Sequence, residues 1–296
     1  MLTPVEEIIE EIEKDRKSGA STLTDKALEC FAVFAEQSSD KTLQTLQDQL
    51  LLICNELIHS QPDMAPMFTV TQRVLSCVEN LKNQNPSPEK IRKTIKELIH
   101  TIRTELVQAK EKIAAIGLSL IKNSDTILTH SYSSSVKEML ISVHKMGTTF
   151  QVIATESRPG FEGRKLAQDL GREGIHTTLI VDSAACKLLQ NASMVILGAD
   201  RVTEKFFVNK IGSYSLALCT HHASKDVYVV CDTTKFVPTS FSTVESKLYP
   251  DEEVLEEELP NVTVENPYFE EVPLSFIKGV ICEKGLLSPK EIGVII

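Results

Sequence analysis

Glycine-rich phosphate loops are missing from this sequence. The chain has 12 glycines among 296 residues, and neither GxxxxGK[ST] nor GxGxxG follows any predicted strand. Because such loops let the backbone approach and cradle phosphate groups, their absence excludes P-loop nucleoside triphosphate hydrolysis and ordinary dinucleotide binding. HExxH and GxSxG are also missing, which excludes the corresponding zinc protease and α/β-hydrolase chemistries.

Long apolar runs and an excess of positive charge are missing too. No run reaches the roughly 18 apolar residues that a membrane span needs, and the first residues are acidic where a signal peptide is basic. The net charge of -10 opposes general electrostatic attraction to nucleic acid. We therefore expect a soluble, cytoplasmic protein that binds neither membranes nor nucleic acid directly.

The cysteines and histidines show no metal-binding spacing. The seven cysteines are odd in number and never form a CxxC pair, so we expect reduced thiols rather than disulfides. His221 and His222 are adjacent, which on a helix points their side chains about 100° apart. No metal and no cofactor is predicted.

The first 121 residues have a helical pattern. Apolar residues recur at spacings of three and four, as in Leu43, Leu46 and Leu50 and again in Ile91 and Ile95. Interruptions fall at residues 18–21, 61–63 and 85–88. We predict a helical domain of four or five helices over residues 1–121, whose long last helix, roughly 88–121, leads into the second half.

After Lys122 the pattern changes to short apolar runs separated by helix-sized stretches. The runs are TILTH, FQVIATE, TTLIVD, MVILGAD and VYVVCD. Buried apolar strands joined by helical crossovers predict a parallel sheet covered on both faces. Residues 122–296 are therefore predicted to form a doubly wound, Rossmann-like α/β domain, so that the fold class is α/β with an N-terminal helical domain.

Polar residues end these predicted strands. They are His130-Ser131, Glu156-Ser157-Arg158, Asp182-Ser183, Asp200-Arg201 and Asp232-Thr233. Ligands of open α/β sheets bind at the carboxyl ends of the strands, so these side chains form a candidate site. The alternative for Asp182-Ser183 is that the aspartate only caps the next helix.

Cations near this edge suit a small phosphorylated ligand. Asn209 and Lys210 precede a predicted helix start, where free N–H groups and the helix dipole favour an anion. Arg158 follows another strand and adds a fixed positive charge. With Asp200 these residues form a carboxylate flanked by cations, which proton transfer on a sugar phosphate requires.

Six segments resemble, in order, the signatures of one superfamily. They are THSYSSSV (129–136), ESRPGFEGRKLA (156–167), IVDSAA (180–185), ILGADRV (196–202), NKIGSYSLA (209–217) and NPYFEEVPLSFIKGVICEKG (266–285), with SGAS (18–21) and PDMAP (62–66) in the helical half. This superfamily comprises the alpha, beta and delta subunits of eukaryotic initiation factor 2B, their prokaryotic relatives, methylthioribose-1-phosphate isomerase and ribose-1,5-bisphosphate isomerase.

The resemblance implies a set of site residues. The isomerases use a cysteine and an aspartate as the catalytic pair, and these positions hold Ser131 and Asp200 here. Their phosphate and hydroxyl contacts correspond to Asn209 with Lys210 and to a turn at Gly19-Ala20. This chain departs from the isomerases at Ser18, before that turn, and at Gln61, since arginine stands at both positions in the isomerases.

These departures bear on activity. An unassisted serine hydroxyl is a much weaker acid than a thiol, and loss of a general acid or base typically costs about 10² to 10⁴ in rate. Glutamine in place of arginine removes a charge-assisted phosphate contact. The resemblance therefore favours a regulatory or weakly catalytic initiation factor 2B-like protein with a sugar-phosphate or nucleotide pocket.

Two other functions stay open. One is a sugar-1-phosphate aldose-ketose isomerase, in which Asp200 moves the proton, Ser131 orients the substrate, and Asn209, Lys210 and Arg158 hold it. The other is a scaffold with a vestigial pocket. The resemblance also implies a homodimer or higher oligomer, possibly with related subunits, and the apolar segments 280–282 and 293–296 support this.

Overall fold

The computed structural model describes residues 3–16, 18–81, 85–241, 249–257 and 259–296. The chain forms two compact units that divide between Val107 and Gln108. That division falls inside one long helix, whereas the change from helices to strands comes after this helix ends at Leu120. The predicted domain boundary at residue 121 therefore stays a prediction.

The first unit is helical, as predicted. Its helices are α1 (Thr3–Lys14), α2 (Ala20–Gln37), α3 (Leu43–Ser60), α4 (Ala65–Glu79) and the first part of α5 (Pro88–Leu120). The apolar positions spaced three and four apart face the core, since Leu46, Leu50 and Ile53 of α3 are fully buried. Thr42 caps α3 by accepting a hydrogen bond from the Thr45 N–H.

The second unit contains two sheets. The strands are β1 (Thr126–Thr129), β2 (Gln151–Thr155), β3 (His176–Ile180), β4 (Met194–Gly198), β5 (Arg201–Val202), β6 (Phe206–Lys210), β7 (Val227–Val230), β8 (Phe269–Pro273), β9 (Gly279–Cys282) and β10 (Gly285–Leu287). Seven of them form one sheet in the order β10-β9-β7-β4-β1-β2-β3, and β5, β6 and β8 form a second, antiparallel sheet. All neighbours in the larger sheet are parallel except β9 and β10.

Helices cover both faces of the larger sheet. They are α6 (Ser134–Lys145), α7 (Glu162–Arg172), α8 (Ala185–Leu188), α9 (Ser213–His222) and α10 (Pro289–Ile295). Two separate groups of buried apolar side chains, one from α5, α6 and α7 and one from α8, α9 and α10, pack against the strands. The five predicted parallel strands and the doubly wound architecture are confirmed.

One predicted strand is less buried than expected. The run TTLIVD forms β3, an edge strand of the larger sheet, and Leu179 and Val181 are 45% and 53% exposed. The expectation of a strand covered on both faces is therefore wrong for β3. β3 pairs with β2 alone, and the exposure of Leu179 means that solvent reaches one of its faces.

The predicted state of the cysteines is wrong at one pair. Cys186 and Cys219 form a disulfide between α8 and α9, with their Cα atoms 5.8 Å apart, a separation that a disulfide can span. Cys186 lies on an exposed helix rather than in a buried apolar run. Sequence spacing did not reveal the pair, because 33 residues separate its members.

Thiol counting tests this disulfide directly. Alkylation of the denatured, unreduced protein should label five thiols, those of Cys30, Cys54, Cys77, Cys231 and Cys282. Prior reduction should raise the number to the seven of the sequence, and a non-reducing peptide map should join the peptides that contain Cys186 and Cys219. Seven labelled thiols without reductant would instead support the reduced state.

Candidate functional site

His130 joins the ends of three strands, β1 and β2 of the larger sheet and β6 of the antiparallel sheet. It follows β1, is almost fully buried, and its Nδ1 lies 2.6 Å from Thr155 Oγ1 at the end of β2. Its Nε2 lies 2.7 Å from the carbonyl oxygen of Ile211, after β6. A carbonyl can only accept, so Nε2–H donates to it. Because burial lowers the pKa of the imidazole, the ring is neutral, and Nδ1 then accepts from the Thr155 hydroxyl.

Asp182 fixes the turn that carries Arg158. Its two carboxylate oxygens accept hydrogen bonds from the backbone N–H groups of Ser157 and Arg158, both at 2.7 Å. The Ser157 hydroxyl in turn accepts from the Ser131 N–H at 2.7 Å. Asp182 therefore holds the loop after β2 rather than capping its own helix, so the alternative of a simple helix cap is wrong.

Asp200 lies beside the strand that carries Asn209 and Lys210. The Asp200 N–H donates to the Val208 carbonyl at 2.9 Å, and the next residue, Arg201, pairs with Val208 in the antiparallel ladder. Asn209 is buried, and its side-chain amide donates to Ser213 Oγ at 2.8 Å. The antiparallel pairing of β5 and β6 thus brings the predicted aspartate and asparagine to one place.

Lys210 already has an anionic partner. Its Nζ lies 2.6 Å from Glu162 Oε1, and the ammonium sits 3.9 Å from the centre of the Tyr268 ring, an arrangement typical of a cation–π contact. The predicted cation is therefore present at the edge, but its charge is balanced by the first residue of α7.

The start of α9 also has an internal anion. Glu270 Oε1 accepts hydrogen bonds from the Gly212 N–H at 2.6 Å and the Tyr214 N–H at 2.8 Å. Pairing of β6 with β8 places Glu270 opposite Asn209, and a carboxylate at a helix N-terminus is stabilised by the helix dipole. The expectation that these N–H groups are free for an external anion is wrong.

Lys235 is a buried cation that the sequence did not single out. It follows β7 in a short helical turn, and 2% of the residue is exposed. Within the described part of the chain its Nζ has no hydrogen-bond partner. Val237 donates to the Val202 carbonyl at 3.0 Å, so this segment runs beside the one that carries Asp200, and both follow neighbouring strands, β7 and β4.

Ser131 and Arg158 occupy different environments. Ser131 is buried, with 8% of the residue exposed, and its backbone is left-handed at φ 67°, a strained conformation for a residue with a Cβ. Arg158 is exposed, and its guanidinium lies 5.0 Å from the centre of the Phe161 ring. Both follow strands at the same edge, as predicted.

The remaining predicted residues lie in the helical unit. Gly19 immediately precedes α2 and Ala20 begins it. Gln61 is buried, and its side-chain amide donates to the carbonyl oxygens of Ile12 and Asp15 at 2.6 and 2.9 Å. Gln61 thus holds the end of α1, and the ligand contacts predicted for these three residues stay predictions.

Three residues of this edge were missed as site residues: Glu162, Lys235 and Glu270. Lys235 follows strand β7, so its position after an apolar run was an available signal. Glu162 and Glu270 gave no such signal, because their role depends on contacts with Lys210 and α9 that are distant in sequence.

The acid stability of the protein should depend on His130. Burial lowers the pKa of this imidazole below its ordinary value of 6.5, and Lys210 lowers it further, while the Ile211 carbonyl, Asp182 and Glu162 oppose the shift. As pH falls, His130 therefore binds a proton at a higher pH in the unfolded chain than in the folded protein. The stability that the neutral imidazole gives above pH 6.5 is lost below it. We expect the free energy of unfolding to fall by up to about 1.4 kcal/mol per pH unit.

Chemical denaturation between pH 7.5 and 5 measures this slope. His130→Asn should lower stability at neutral pH but flatten the slope, whereas His222→Asn, at an exposed position on α9, should leave the slope unchanged. An equal slope in the wild type and His130→Asn would contradict the assignment.

Metal-binding clusters and membrane-spanning helices are both absent from the residues that the structure describes. No group of three or more histidine, cysteine, aspartate or glutamate side chains is arranged to hold a metal ion in these ranges. Likewise, no helix described here combines the length and apolar character that crossing a bilayer demands.

The fold and this edge define a class of proteins: a helical unit followed by a doubly wound α/β unit, with acidic and basic side chains at the carboxyl ends of the parallel strands. Residues 16–289 match the Initiation factor 2 subunit family. The chain belongs to this family.

Two relatives show the range of functions within the family. A Pyrococcus horikoshii protein described as translation initiation factor "eIF-2B subunit 2-like" is 33% identical over 286 residues, covering 96% of both chains. The ribose 1,5-bisphosphate isomerase of Archaeoglobus fulgidus is 30% identical over 298 residues, covering 97% of this chain and 91% of the relative.

Solved structures agree with this placement. The translation initiation factor eIF-2B of Pyrococcus horikoshii has a TM-score of 0.84 at 31% identity, covering 98% of each chain. The 5-methylthioribose 1-phosphate isomerase of the same organism has a TM-score of 0.78 at 25% identity, covering 98% and 86%. A tetrameric eIF2B-beta2-delta2 complex from Chaetomium thermophilum, at 19% identity and TM-score 0.78, shares the fold.

Proposed function

We propose that this chain is a regulatory, ligand-binding member of the family, with a pocket for a phosphorylated sugar or a nucleotide at the carboxyl edge of the larger sheet. One observation supports ligand binding most strongly: Lys235 is a buried cation whose ammonium has no hydrogen-bond partner among the described residues. Burying a charged group without a hydrogen-bond partner is costly. Folding has already removed this ammonium from water, so an anion that binds to it does not have to displace water from it.

Slow or absent turnover is supported by the groups at the proposed catalytic positions. Asp200 is present, but its predicted partner is the hydroxyl of Ser131 rather than a thiol. The nearby thiol of Cys231 is no substitute, because burial raises its pKa well above the ordinary value of 9.0 and so disfavours the reactive thiolate. The ligand is therefore held without an efficient proton-transfer pair.

A second candidate function is the isomerisation of a ribose 1-phosphate derivative. It is supported by the 30% identity to a ribose 1,5-bisphosphate isomerase and by the presence of Asp200 beside Asn209. In this alternative Asp200 moves the proton, Ser131 orients the substrate, and Asn209, Lys210 and Arg158 hold its oxygens. Roles for Gly19, Ala20 and Gln61 rest on the resemblance alone.

Incubation with candidate substrates separates the two functions. The pure protein is mixed with ribose 1,5-bisphosphate or 5-methylthioribose 1-phosphate, and formation of the ketose is followed by NMR. The regulatory function predicts a thermal shift with each bound ligand and no ketose; a ligand at 100 times its Kd stabilises by about 2.7 kcal/mol. Turnover that disappears in Asp200→Asn would establish the isomerase instead.

We also propose a cytoplasmic homodimer, possibly one that assembles further with related subunits. Of the two apolar segments that suggested this, residues 280–282 are buried within β9 and give no support, whereas Val294 is 85% exposed. Tyr214 and Leu218, one turn apart on α9, are also exposed and offer an apolar surface. Light scattering of the purified protein gives its mass in solution.

A further inference from the structure

Glu162 and Glu270 act as internal anions in the segment from Asn209 to the start of α9, where an external anion was predicted to bind. Glu162 forms an ion pair with Lys210, and Glu270 accepts hydrogen bonds from the backbone N–H groups at the start of α9. The side chains of Lys210 and Glu162 are only 6% and 16% exposed. Solvent therefore screens this pair weakly, and the glutamate effectively neutralises the lysine.

The surroundings of Lys210 leave little room for a second anion. The centres of the Tyr268 and Phe269 rings lie 3.9 and 5.5 Å from its ammonium nitrogen. The Glu162 carboxylate is within hydrogen-bond distance of the same nitrogen. A phosphate could reach Lys210 only by displacing Glu162, which would leave that carboxylate buried, or by lying beside it against charge repulsion. Either event weakens binding of a second phosphate.

Glu162 also has a hydrogen-bonding capacity that is unused. Its Oε2 is buried and has no hydrogen-bond partner among the residues described. A buried acceptor without a donor is unfavourable, and Oε2 belongs to the carboxylate that lies against Lys210 in the proposed pocket. A hydroxyl group of a ligand supplies the donor that this oxygen lacks.

We propose that Glu162 determines ligand specificity: the site accepts a sugar or nucleoside that carries one phosphate and presents a hydroxyl to Glu162, and it discriminates against a second phosphate at Lys210. This inference rests on the proposed function, since it assumes the same ligand pocket. The single phosphate then binds at Lys235, whose ammonium has no hydrogen-bond partner among the described residues.

Calorimetric titration tests the proposal with two probes, ribose 5-phosphate and ribose 1,5-bisphosphate. The wild type should bind the monophosphate more tightly than the bisphosphate. Glu162→Gln keeps the shape and removes the charge, so it should shift the ratio of the two affinities by about tenfold to a hundredfold toward the bisphosphate.

Three control proteins make each outcome decisive. Glu173→Gln removes a glutamate at the other end of α7, paired with Lys145, and should leave the ratio unchanged. Lys210→Gln should not gain bisphosphate affinity, and the double variant Glu162→Gln/Lys210→Gln should lose the gain of Glu162→Gln, because the released ammonium is what binds the second phosphate. Circular dichroism melts confirm that each variant is folded.

The results separate two failures. If folded wild type and Glu162→Gln bind both probes with the same affinity ratio, the specificity role of Glu162 is wrong while the pocket stands. If neither folded protein binds either probe at millimolar concentration, the proposed function itself is wrong. A gain of bisphosphate affinity that persists in the double variant would also overturn the role given to Lys210.

Discussion

Lys235→Met is expected to make the free protein more stable and to weaken ligand binding. Methionine has a similar length and shape but no charge, so it removes the cost of burying an ammonium that has no partner among the described residues. We expect a gain of about 2 kcal/mol in the free energy of unfolding. Loss of one charge-assisted contact should lower the affinity for ribose 5-phosphate about tenfold to a hundredfold.

Lys225→Met is the matched control, with the opposite expected effect on stability. The Lys225 ammonium donates to the carbonyl oxygens of Leu189, Gln190 and Ala192, so its removal deprives these carbonyls of a charged donor and should destabilise by about 1 to 3 kcal/mol. The affinity of Lys225→Met for ribose 5-phosphate should equal that of the wild type. Urea denaturation and calorimetry measure both quantities, and a loss of stability in Lys235→Met would refute its unpaired state.

Gly163→Ala is expected to destabilise the protein by about 3 kcal/mol or more. A Cβ on Gly163 would lie 1.8 Å from the carbonyl oxygen of Thr155, and that oxygen belongs to the backbone of β2, which cannot move without disturbing the sheet. Gly163 is the second residue of α7 and directly follows Glu162. The close approach of helix and strand therefore also places the glutamate that pairs with Lys210.

Gly171→Ala in the same helix provides the contrast. A Cβ there meets nothing within 4 Å, and replacing a helical glycine with alanine typically stabilises by up to about 1 kcal/mol. Thermal and urea denaturation of the two variants should therefore move in opposite directions. Equal small effects would show that the approach of α7 to β2 is looser than 1.8 Å implies.

The sequence was sufficient to predict the parallel sheet because the signals for its strands are local. Apolar runs such as TILTH and VYVVCD, each closed by polar residues and followed by a helix-sized stretch, predicted the parallel strands and the edge at which their polar ends meet. The antiparallel sheet of β5, β6 and β8 was not predicted. Its pairing of Phe207 with Val272 joins segments more than 60 residues apart, and β5 has only two residues.

The positions of the candidate site residues could be predicted better than their partners. Asp200, Asn209 and Ser131 lie at the sheet edge as expected. The pairing of Lys210 with Glu162 and the capping of α9 by Glu270 could not be foreseen, because each contact depends on how separate elements pack together. Lys210 and the start of α9 were predicted to bind an external anion, and the protein fills both with its own carboxylates.

The roles of Asp182 and Lys235 show the same limit. The position of Asp182 before a helix suggested a cap. Its oxygens instead accept hydrogen bonds from the N–H groups of Ser157 and Arg158, in the loop that follows β2. A lysine after a strand gave no sign that its ammonium is buried. Burial and pairing of a charge are properties of the packed chain, and they separate a binding site from an ordinary charged surface.

Calorimetric titration of ribose 5-phosphate into the wild type and into Lys235→Met tests most directly that an anion binds at the carboxyl edge of the larger sheet. We predict saturable binding to the wild type with one site per chain, and binding at least about tenfold weaker in the variant. Equal affinity in the two folded proteins, or no heat of binding to the wild type at millimolar ligand, would contradict it.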